Sequence, residues 1–296
     1  MDTLLYFVAR GFIALIQALP LRLVARLGRA GGALGYAVDA RHRRVALRNL
    51  ARSFPEKSAA DVKALAKENF RRIGESYACG IKTAGMAFEE LKPHVEFVVP
   101  PDFRPAPGVT PRSLVVAIGH FGNFELYARF GQFCPGHTCV TTYRGLRQPS
   151  LNRLLQSLRE KSGCLFFERR FDADALKATM NKPGVILGLL CDQNGGRKGL
   201  QFPFLGHYAA TSPAVALFAL RYHCPLYTGI CHRTDLAQWR IEAGAEIPTH
   251  ENGSARSTEA IMRDVNAAFE AAIRRDPANW FWVHNRWKHG TPPAAS

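Results

Sequence analysis

Residues 114–125 read Leu-Val-Val-Ala-Ile-Gly-His-Phe-Gly-Asn-Phe-Glu, and this run constrains the fold more tightly than any other. Five apolar residues, rich in Val and Ile and closed by glycine, have the length and composition of a buried strand. The residues that follow, Phe-Glu-Leu-Tyr-Ala-Arg-Phe-Gly-Gln-Phe over 124–133, have helical spacing. His120 is therefore expected at the carboxyl end of a strand, with Glu125 in the first turn of the next helix. In an open α/β sheet that end is where ligands bind.

On one continuous helix, five positions would set His120 and Glu125 roughly 140° apart. A turn at Gly122-Asn123 removes the difficulty, because glycine reaches backbone angles that other residues avoid. Glu125 then holds one imidazole nitrogen and leaves the other as a base, the base-and-orienter half of a triad. The bland reading stays open beside it: His120 as a polar residue capping a strand, Glu125 as a complement to a helix dipole.

The motif His-Phe-Gly-Asn-Phe-Glu resembles the His-x4-Asp/Glu block of the lysophospholipid acyltransferase superfamily, most of all its bacterial lipid A late acyltransferase branch. Further blocks follow in order from about residue 41 to residue 288. They are the Arg-Arg, Asn-Leu and Phe-Pro-Glu run between Arg43 and Glu56, then Tyr143-Arg144 before a helix. Asp192-Gln193 comes next with Phe202-Pro203-Phe204, and last the Trp-x-Trp-x-His-x-Arg-Trp tail from Trp280 to Trp287. Gly145 and Gln148 stand where the family usually has proline and asparagine, so Arg144 is the secure match in its block.

The resemblance implies an α/β fold, a mixed central sheet flanked by helices. It implies transfer of a fatty acyl chain from a thioester, acyl carrier protein or acyl-CoA, to a hydroxyl of a lipid acceptor, with no cofactor and no metal. His120 and Glu125 become the catalytic pair. Arg144, Asn123, Arg147 and Asp192 become substrate-binding or site-organising residues. The acceptor is expected to be a lipid A precursor or related glycolipid, with a lysophospholipid, a mannosylated lipid or an aminolipid as alternatives. A non-catalytic membrane binder and a nucleic-acid binder are the remoter rivals.

Composition bears on partners. Thirty-nine Lys and Arg against 24 Asp and Glu give a net charge of +15, which calls for an anionic partner such as a membrane surface, nucleic acid or an acidic carrier protein. The arginines accompany apolar segments rather than a nucleic-acid-binding module, which favours the membrane. Seven cysteines without a C-x-x-C pair make neither a zinc framework nor a disulfide scaffold.

Residues 3–19 are apolar nearly all round a helix, broken by Arg10 and Gln17 and ended by Pro20. That length is marginal for a bilayer span. Beyond it, Arg22, Arg26 and Arg29 fall on one helical face, with Leu23 and Leu27 towards the other. An apolar helix followed by a basic amphipathic one suits a protein lying in a membrane surface.

Ser58 is expected to cap a helix running to about Gly85, and Ser150 one over 151–160. The expected organisation is a helical membrane-associating region over 1–85 and an α/β core over 86–296, on the cytoplasmic face of an inner membrane. The tryptophan tail reads either as membrane-interface aromatics or as a docked helix packed on the core.

Overall fold

The computed structural model describes residues 2–146 and 148–292, with side chains from Leu4 onward. The chain opens with four helices: α1 (Asp2–Ala18), α2 (Leu21–Val38), α3 (Ala40–Ser53) and α4 (Ala59–Gly85). Pro20 breaks α1 from α2, since proline cannot continue the hydrogen-bond ladder. Ser58 starts α4 through a capping box with Asp61, satisfying donors that a bare helix start leaves open.

α2 buries a narrow stripe of Leu21, Val24, Ala25, Gly28 and Gly32. Its contact with α4 is unusually close, for a Cβ on Gly32 would fall on the Phe70 carbonyl oxygen, and one on Gly74 on that of Gly28. Arg29 does not join the exposed basic face expected of it. It turns inward to Glu68 at 3.0 Å and the buried Glu75 at 3.3 Å, while Arg22, Arg26, Leu23 and Leu27 stay at the surface.

After the short helix α5 (Phe88–Leu91) come β1 (Val95–Val98) and β2 (Leu114–Ile118). Then follow the short α6 (Phe130–Phe133), β3 (Thr138–Tyr143), α7 (Pro149–Arg159), β4 (Leu165–Glu168), α8 (Ala173–Met180) and β5 (Val185–Leu190). A hairpin of β6 (Leu200–Phe204) and β7 (His207–Thr211) precedes α9 (Ala214–Arg221). β8 (Leu226–Asp235), β9 (Gln238–Ala243) and α10 (Thr258–Arg275) complete the core.

Among the described residues seven strands form the main sheet in the order β1-β9-β8-β2-β5-β3-β4. Only β8 and β9 run antiparallel, so the sheet is mixed, as the sequence led one to expect. The fully apolar β2 has the sequence of a strand covered on both faces.

Its alternate residues feed two cores. Val115 and Ala117 join α3, α9, α10 and the hairpin on one side. Leu114, Val116 and Ile118 face α2 and the segment after β2 on the other. The N-terminal helices contribute to both cores: Leu50 and Phe70 to the first, Ile16 and Val24 to the second.

Two local expectations change. Helix α7 begins at Pro149, so Ser150 lies inside it and Gln148 is the cap position. The stretch after Asn123 is a 3-10 helix over Phe124–Arg129 that passes into α6, rather than one α-helix.

Candidate active site

The register of the sheet builds the site. β2 and β5 are parallel neighbours with Ile118 opposite Leu190. His120 and Asp192 each lie two residues beyond that pair, so both leave the sheet at the same height on its carboxyl edge. The His120 backbone amide and its Nδ1 donate to the two Asp192 carboxylate oxygens, each at 2.8 Å. Trp280 Nε1 donates to Asp192 as well, at 2.8 Å.

Asp192 is only 1% exposed. Burial by itself would raise its carboxyl pKa, but His120 and Trp280 outweigh that and hold it below the ordinary carboxylate value. An ionised Asp192 fixes the proton on Nδ1 and leaves Nε2 unprotonated, with its lone pair turned to the Gln193 side-chain amide. Gln193 Nε2 lies 3.3 Å from that nitrogen. The rings of Phe124 and Phe281 flank the imidazole, centroid to centroid, at 4.9 and 5.7 Å.

The turn at Gly122 is present, with φ at +49°. A side chain there would also meet the Cys231 carbonyl oxygen 2.6 Å from its Cβ. The turn does not, however, deliver Glu125 to His120. Glu125 accepts from Arg159 Nη2 at 3.2 Å. The Nδ1 position expected for it is taken by Asp192, which the β2–β5 register places level with His120.

Asn123 is also placed otherwise than expected. It is buried under α4, where its amide donates to Thr83 Oγ1 at 3.3 Å, so it braces the turn instead of facing substrate. Arg144 follows β3 at the mouth of the site, exposed and without an ion pair among the described residues. Arg147 lies outside the described residues.

His120, Glu125, Arg144 and Arg159 line one cavity of about 860 Å³. Its floor is the sheet itself, in rows set by strand pairing: Ile118 and Leu190 in the first, Val116, Gly188, Thr141 and Phe166 in the second, Ile186 and Cys139 in the third. Six residues of strand separate the His120 level from the third row, or about 20 Å. The cavity is thus a long, mainly apolar slot with His120 at one end and Arg159 over its second row.

Two functional features escaped the sequence reading. Arg159 sits in the last turn of an ordinary amphipathic helix, and nothing in its spacing sets it apart. In the fold it stacks 4.7 Å over Phe166, and its Nε and Nη1 are buried without a hydrogen-bond partner among the described residues. The tryptophan tail is legible in the sequence, but its place in the fold is not. Trp280, Trp282 and Trp287 are buried in the core, so they are not membrane-interface aromatics. They pack as turns rather than as a helix.

The site thus holds a histidine with an unprotonated Nε2 at the head of an apolar slot. Sequence comparison gives the family. Residues 2–289 match the bacterial lipid A biosynthesis acyltransferases, and the chain belongs to that family and is an acyltransferase.

Among its relatives are a lipid A biosynthesis palmitoleoyltransferase of Escherichia coli K12 and a lipid A biosynthesis acyltransferase of Shigella flexneri. Each is 27% identical over 289 residues, covering 94% of this chain and 89% of the relative. A lipid A biosynthesis lauroyltransferase of E. coli K12 is 25% identical over 286 residues, with the same coverage.

Proposed function

We propose that this acyltransferase moves a fatty acyl chain from an acyl thioester, carried by acyl carrier protein or CoA, to a hydroxyl of a lipid A precursor or related glycolipid. The observation that carries the reading is the His120–Asp192 pair at one end of the apolar slot. The acyl chain lies along the sheet rows, which puts its thioester carbon beside His120.

Nε2 takes the proton of the acceptor hydroxyl as that oxygen attacks the thioester carbon. The imidazolium is stabilised by ionised Asp192. The new C–O bond gives a tetrahedral oxyanion, for which Arg144 at the mouth is the nearby exposed cation, while Arg159 carries positive charge into the slot. Collapse breaks the C–S bond, and the imidazolium returns its proton to the departing thiolate. Glu125 sets the guanidinium of Arg159 instead of the imidazole.

A membrane position suits the surface. α1 exposes Leu4, Phe7, Val8, Phe12 and Leu15, and each such side chain gains on the order of 1.5–3 kcal/mol when fully buried. α1 rests on α4 and α7, whose residues Ile81, Leu155 and Leu158 line the cavity, so the apolar surface lies next to the slot. Among the described residues no helix is long and apolar enough to cross a membrane. The proposed attachment, on the exposed apolar face of α1, is to a membrane surface, taken as the cytoplasmic face of the inner membrane.

The test is transfer from labelled acyl carrier protein, and from acyl-CoA, to lipid A precursor. His120→Ala and Asp192→Asn are each expected to lower kcat by at least about 10²-fold. Wild-type turnover in either variant would remove that residue from the chemistry, and transfer only to another lipid would replace the acceptor.

A further inference from the structure

The turn that follows β5 carries both groups that hydrogen-bond the His120 ring, and most of its fastenings come from the chain's last described segment. The Asn194 backbone amide donates to His284 Nε2 at 3.0 Å. The Asn194 side-chain amide donates to the Arg286 carbonyl at 3.1 Å. Its Oδ1 accepts from the Gly196 amide at 2.8 Å and lies 2.9 Å from His289 Nδ1. Two residues earlier, Trp280 holds Asp192.

The segment is itself pinned from the N-terminal helices. Asn49 of α3 donates to the Trp282 and His284 carbonyls, each at 2.9 Å, and Asn69 of α4 to the Ala278 carbonyl at 2.9 Å.

A backbone N–H can be received only by a ring nitrogen that carries no proton. We propose that His284 is a positioning residue for the reaction: its unprotonated Nε2 fastens the Asn194 backbone and so sets Asp192 and Gln193 against His120. The catalytic consequence rests on the acyl-transfer reading above, whereas the fastening itself does not.

The charged and titratable groups that bear on the imidazole are Asp192 after β5, His120 after β2 and Arg286 of its own segment. α3 supplies the neutral Asn49. Burial pushes the His284 pKa below its ordinary value, Asp192 draws it up, and His120 and Arg286 push it down again. The net direction keeps the acceptor available at neutral pH. Acidification converts Nε2 to a donor facing a donor, and the turn is released.

The experiment compares His284→Gln with His284→Phe in the full chain, with rates expressed per folded enzyme. Glutamine offers an Oε1 acceptor that does not titrate in this range; phenylalanine offers none. His284→Phe is expected to lower kcat at least about 5-fold and to speed amide exchange over residues 191–196 by a similar factor, the usual cost of an unmet buried N–H. His284→Gln should stay within about 3-fold of wild type, and its activity should fall with acid one proton less steeply.

Wild-type kcat and exchange in His284→Phe would overturn the proposal, as would a glutamine variant as damaged as the phenylalanine one. Should His284→Phe not fold, the acid limb of His284→Gln decides: shallower supports the role, unchanged refutes it. A wild type that transfers no acyl chain counts against the acyl-transfer reading alone, because exchange at 191–196 still tests the fastening.

Discussion

Two carboxylates near one histidine have different partners, and geometry decides which does what. Asp192 meets Nδ1 of His120; Glu125 meets Arg159. If Glu125 and Arg159 act as one unit, their truncations should not add. A double-mutant cycle of Glu125→Ala and Arg159→Ala, read from kcat/KM, is expected to show a coupling of about 0.5–3 kcal/mol. Additive losses would separate the two residues and return Glu125 to independent duty at the site. From the sequence His120 stood out because a buried strand ended on it. Asp192 is legible as a site residue too, but its pairing with His120 is not, because a separation of 72 residues carries no local signal, whereas a separation of five does.

Elements are held at distances that single side chains set. α2 and α4 touch backbone to backbone through Gly28, Gly32 and Gly74. Gly32→Ala is expected to cost about 1–3 kcal/mol as an overpacked contact, measured as a drop in unfolding free energy; an unchanged value would mean that α2 shifts freely. In β5, Gly188 leaves the middle of the slot floor open, and the nearest atom to an added Cβ would be Ile118 Cδ1 at 3.4 Å. Gly188→Leu should therefore fold and fill the slot. It is expected to shift kcat/KM at least about 10-fold toward shorter acyl donors, checked with a series of chain lengths. An unchanged preference would place the acyl chain elsewhere.

At the scale of the whole molecule, buried titratable groups tie stability to pH. His232 in β8 is held by burial, with Arg275 adding to the effect, at a pKa lowered from 6.5 to about 4. The folded state resists the proton that the unfolded state accepts, so stability should fall as pH drops from about 6.5 toward 4. The loss from this group is roughly 3 kcal/mol at most across that window. Denaturant titrations at several pH values check this, and His232→Asn should flatten the curve. A wild-type curve already flat across the window would show that His232 protonates without unfolding cost. Asp192 acts further down, since its depressed carboxyl gives stability that is lost only as pH falls below the ordinary carboxylate range.

Periodicity and chain punctuation settled what is local. The strand before His120, the turn at Gly122, the capped start of α4 and the apolar α1 all follow from which residues sit beside one another, because backbone sterics and short-range burial decide them. The order of blocks along the chain settled the family. Tertiary structure alone decided which groups meet. Parallel pairing of β2 with β5 put Asp192, not Glu125, on His120. Folding-in of residues 280–289 took three tryptophans from candidate membrane contacts into the core, where Trp280 bonds Asp192. Those choices rest on strand register and on hydrogen bonds between distant residues, and neither leaves a periodic trace in sequence.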